Sequence, residues 1–72
     1  MAFLTETEVK KMVGELQRME DQLNNGINKR KANFEDTEFA PIYKQEIRLL
    51  RRSLNGIQTA LLNLEAWLYS NL

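Results

Sequence analysis

Seventy-two residues make one small domain at most, and ten basic residues against ten acidic ones leave no formal net charge. Cysteine and histidine are both absent, which removes disulfides, zinc-type sites, the commonest general base and the thiol nucleophile. Chains this short usually complete a core with a disulfide, a metal or a second chain, so association is the route left open.

The first helix marks its own start. Thr5 and Glu8 have the Thr-x-x-Glu spacing of a capping box, with Leu4 and Val9 at the positions of a hydrophobic staple. Glu6 adds negative charge where a helix dipole favours it. Val9, Met12, Leu16, Met19 and Leu23 then follow an a/d rhythm, widened on the e side by Val13. The next seam positions are Gly26, Arg30 and Asn33, so the apolar line decays. Asn24-Asn25-Gly26 offers a stop near Asn25. The alternative is continuation on Ile27 and Phe34 to about Ala32, preferred because it matches the two helices in length.

The reading is therefore all-α: a coiled-coil-like, two-helix antiparallel hairpin completed by hetero- or homo-oligomerisation. Helix 1 is expected over about 5–32, the connection over about 33–40 and helix 2 over about 41–70. Pro41 suits the first helical position, where its missing N–H costs nothing. Ile47, Leu50, Leu54, Ile57, Leu61, Leu64 and Leu68 recur at spacings of 3 and 4, the seam of a helix that lies against another.

Beside that seam runs a second stripe: Leu49, Ser53, Gly56, Ala60, Asn63 and Trp67. Gly56 costs about 1 kcal/mol of helix propensity, so a packing reason for it is expected. The C-terminal part is crowded with apolar groups, Leu62 and Tyr69 among them, which in a lone hairpin would face water. Leu49, Ser53, Gly56, Ala60, Leu62, Trp67 and Tyr69 are accordingly the candidate partner-binding residues.

No Gly-rich phosphate loop or EF-hand spacing is present, and no catalytic constellation is legible. Neither an enzyme nor a cofactor is expected. Glu35, Asp36 and Glu38 read as a solvated acidic loop ahead of helix 2 and not as a cation site. Residues 29–52 carry seven basic groups against four acidic ones, while 53–72 carry only Glu65. Lys29, Arg30 and Lys31 would meet Lys44, Arg48, Arg51 and Arg52 at the loop end of the hairpin. An ordinary solvated face is the favoured explanation. A nucleic-acid partner is disfavoured by the zero net charge and by the lack of interleaved aromatic residues. No apolar run approaches the length of a membrane span. The start, Met-Ala-Phe-Leu-Thr-Glu-Thr-Glu, lacks signal-peptide regions, so a cytoplasmic location is expected.

An acidic-capped first helix, a short connection, and a second helix opening Pro41-x-Tyr43 into a Leu/Ile seam resemble the small two-helix co-chaperones of type III secretion needle subunits. The likeness is best over residues 41–68, and Gly14 and Gly26 depart from it. What the resemblance implies is a helical chaperone subunit, working beside a larger helical-repeat chaperone to keep a secreted helical subunit from polymerising. A homodimeric four-helix bundle that regulates by binding RNA is the alternative from another class. A small inhibitor occupying a helix groove is a third reading with the same surface physics.

Overall fold

The computed structural model describes residues 3–32 and 38–71. The connection residues 33–37, with Phe34, Glu35 and Asp36, lie outside the described residues, as does Leu72. Two helices, α1 (Glu6–Ala32) and α2 (Ala40–Ser70), form an all-α hairpin about 54 Å long and 20 by 14 Å across.

Thr5 caps α1. Its hydroxyl accepts a hydrogen bond from the Glu8 N–H at 3.2 Å and donates to Glu8 Oε1 at 3.0 Å. The Glu8 carboxylate thus meets the Thr5 hydroxyl and not its backbone N–H, so half of the reciprocal box forms. Lys10 and Glu6 pair at 2.7 Å one turn apart. The helix passes through Asn24-Asn25-Gly26 without a break and ends at Ala32, with Lys29, Arg30 and Lys31 in its last turn, where cations suit the dipole. Phe39 precedes α2 without a side-chain cap, and Tyr43 N–H bonds to its carbonyl at 3.0 Å. Ala40 is the first helical residue, which puts Pro41 second, one place later than expected. The first four N–H groups of a helix have no intrahelical acceptor, so proline is tolerated there as well. Asn71 closes α2 by donating from Nδ2 to the Trp67 carbonyl at 2.7 Å.

Two observations fix the register. The Arg30 Nε donates to Glu46 Oε2 at 2.9 Å across the helices. A Cβ at Gly26 would lie 3.4 Å from Leu50 Cδ1. Both pairs sit symmetrically about residue 38. At equal rise, that register sets Leu16 level with Ala60 and Val9 level with Trp67.

The seam of α2 holds its predicted line. Ile47 and Leu61 are buried, and Leu50, Leu54, Ile57, Leu64 and Leu68 are half-buried. The seam of α1 does not. Val9, Leu16 and Leu23 face inward, but Met12 and Met19 remain 39% and 47% exposed. Val13, Glu20 and Ile27 hold the inner places on the other side of the line, with Ile27 buried. The helix is rotated from a/d to a/e. The d set would offer two flexible methionines and a glycine, whereas the e set offers the stiff side chains of Val13 and Ile27. The Glu20 methylenes can lie along the seam with the carboxylate in water.

No glycine has positive φ. A Cβ at Gly14 would meet nothing within 4 Å, so Gly14→Ala is expected to stabilise the hairpin by about 1 kcal/mol. Urea titration followed by circular dichroism would show this as a higher midpoint at unchanged slope.

Candidate partner-binding face

The hairpin leaves much of itself uncovered. Its accessible surface is 5882 Å², whereas a compact chain of this mass would expose about 4,700 Å². The excess exceeds the roughly 800 Å² that each partner contributes to a standard interface. Among the described residues only Val9, Ile27, Ile47 and Leu61 are buried apolar groups.

Several of the exposed apolar groups, Met12, Met19, Phe39, Ile42 and Leu49, share one flank. Residues seven apart stay in line on a helix that packs along another. Phe39, Glu46, Ser53, Ala60 and Trp67 form one such line. Ile42, Leu49, Gly56 and Asn63 form the next one outward. Ala60 and Trp67 are half-buried at the edge of the seam, while Leu49 is 64% exposed and Ser53 and Gly56 are open. The opposite flank of the hairpin is marked by a groove shared between Lys31 of α1 and Lys44, Arg48 and Arg51 of α2. Lys31 extends the Val13–Glu20–Ile27 side of α1. Met12 and Met19, on the other side of that helix, therefore border the Ala60–Trp67 face.

This geometry divides the seven candidate residues. Leu49, Ser53, Gly56, Ala60 and Trp67 share a face. Leu62 and Tyr69, 70% and 86% exposed, are two positions from Ala60 and Trp67, which is about 200° around the helix. They project from the other flank and cannot belong to the same surface. The sequence reading also missed Met12, Met19, Phe39 and Ile42. For the first two the signal was present in Val13 and Ile27, which compete for the same inward place.

The face carries little unmet polarity. The Ser53 hydroxyl donates to the Leu49 carbonyl at 3.1 Å, and Glu46 is occupied by Arg30. A Cβ at Gly56 would meet nothing within 4 Å, so the hairpin itself supplies no packing reason for that glycine. Phe39 and Tyr43 meet one turn apart, with ring centroids 6.3 Å apart and ring planes tilted by 51°. Among the described residues no group of three or more carboxylates could hold a metal ion, and no helix is long and apolar enough to cross a membrane.

Comparison with protein-family models, curated proteins and solved structures gives no match.

Proposed function

We propose that this chain is a non-enzymatic helical adaptor or co-chaperone, acting in the cytoplasm, that binds another helical protein through the face running from Phe39 and Ile42 to Trp67. The observation that carries this reading is the row Leu49, Ser53, Gly56, Ala60 and Trp67, bordered by Met12 and Met19 and left open by the hairpin. An amphipathic helix laid along this face would read it at the seven-residue period the face already has. Small residues in the middle let its backbone come close, a half-buried tryptophan supplies an anchor, and the methionines adapt to the shape of the partner. The resemblance to co-chaperones of type III secretion needle subunits points to the same class of partner, a helical chaperone or a secreted helical subunit.

The test is the complex purified from the source organism, its intact mass measured and its hydrogen exchange compared with that of the free chain. New protection is expected around residues 49–67 and at Met12 and Met19. Protection confined to the Leu62–Tyr69 flank would refute the assignment of the face.

A further inference from the structure

The flank opposite the adaptor face holds a groove of about 630 Å³ lined by Lys31, Lys44, Arg48, Arg51, Arg52 and Asn55, with Ile47 as its apolar floor. Five of the ten basic residues of the chain converge there, and among the described residues no carboxylate lines it. The sequence explains part of this: from Lys44 to Leu64 the one acidic residue is Glu46. The fold explains the rest. Glu46 stands on the Phe39–Trp67 line of the other flank, where Arg30 crosses the seam to pair with it at 2.9 Å. Among the described residues, Lys31, Arg48, Arg51 and Arg52 take part in no ion pair. The zero net charge that disfavoured an anionic partner is an average over the whole chain, from which this groove departs locally.

We propose that this groove binds the phosphate backbone of a nucleic-acid duplex without reading its bases. Arginine dominates the lining, and its planar guanidinium fits phosphate oxygens two at a time. From Lys44 to Asn55 the groove extends about 16 Å along α2, a length over which a duplex presents about nine to ten phosphate charges. Among the described residues no aromatic side chain lines the groove, so the described lining offers no stacking platform of the kind that holds single strands. Backbone contacts position a protein on a duplex and carry no direct sequence information. The site uses none of the residues of the adaptor face, so either assignment can fail without the other.

The experiment is fluorescence anisotropy with the full chain and a short labelled RNA duplex, the DNA duplex of the same sequence, its single strand, and a polyglutamate peptide, each over a salt series. Binding of at least one duplex is expected, the preferred one naming the source of the phosphate. The logarithm of the affinity should fall against the logarithm of salt with a slope between about −3 and −4, for four phosphate contacts. The double variant Arg48→Gln/Arg51→Gln should lower affinity at least roughly tenfold and reduce the slope by about 2. Its circular dichroism should be unchanged, because both side chains are exposed. Arg18→Gln, an exposed charge on α1 outside the groove, should leave the slope as it was. The proposal is overturned if neither duplex binds at low salt, or if the double variant keeps the full slope. Tighter binding of the single strand or of polyglutamate would also overturn it, by assigning the groove to another class of ligand.

Discussion

Leu61→Ala is expected to abolish the cooperative melting of the free chain, while Leu62→Ala, one residue along, leaves it nearly unchanged. Leu61 is one of four buried apolar side chains among the described residues, whereas Leu62 is 70% exposed. Truncating a buried leucine removes its transfer free energy and leaves a cavity, together worth about 2–5 kcal/mol. A core in a chain this small rarely supplies more than about 3–5 kcal/mol in all, so the first substitution consumes most of the margin. The second acts on a solvent-facing position and should stay within about 0.5 kcal/mol. Urea and thermal unfolding, followed by circular dichroism and Trp67 fluorescence, measure both. Equal melting of the two variants would mean that α2 does not present Leu61 to α1.

The second large effect is on association. Ala60→Arg is expected to weaken the complex with the helical partner by more than about 2 kcal/mol, roughly thirtyfold or more, with the helicity of the free chain largely retained. Ala60 is half-buried at the edge of the seam. A long arginine there can lay its stem along the hairpin and extend its guanidinium to water, so the fold survives while a bulky charge stands in the middle of the docking face. Gly56→Ala separates the two properties further. Its Cβ meets nothing within 4 Å in the free chain, so the substitution should raise stability by about 1 kcal/mol. The same methyl group should weaken binding if a partner helix comes close at that point. Isothermal titration against the purified partner reads one effect and urea unfolding the other. Unchanged affinity in Ala60→Arg would remove this face from consideration.

How far the sequence could be read differs between the helices. The seam of α2 was legible because seven branched apolar residues repeat at spacings of 3 and 4 with no competing line. In α1 the line through Val9, Leu16 and Leu23 was legible too, but it has two companions. Met12 and Met19 lie on one side, and Val13 and Ile27 on the other. Local periodicity weights them alike, since each set stands within one position of the shared line. The candidate face suffered from the same ambiguity. Residues 60 and 62, or 67 and 69, look like neighbours in a crowded apolar stretch, yet α2 sends them to opposite flanks.

The amino-acid order alone settled that this chain forms two helices and which side of α2 turns inward, because capping and apolar spacing act within a few residues of one another. Only the packed hairpin decided which edge of α1 turns inward, since that depends on how Leu50 fits beside Gly26 and how Arg30 reaches Glu46. The same packing sets Glu46, paired with Arg30, on one flank and the cations of Lys31, Arg48, Arg51 and Arg52 on the other. Contacts between residues far apart in the chain carry that information, and no local pattern contains it.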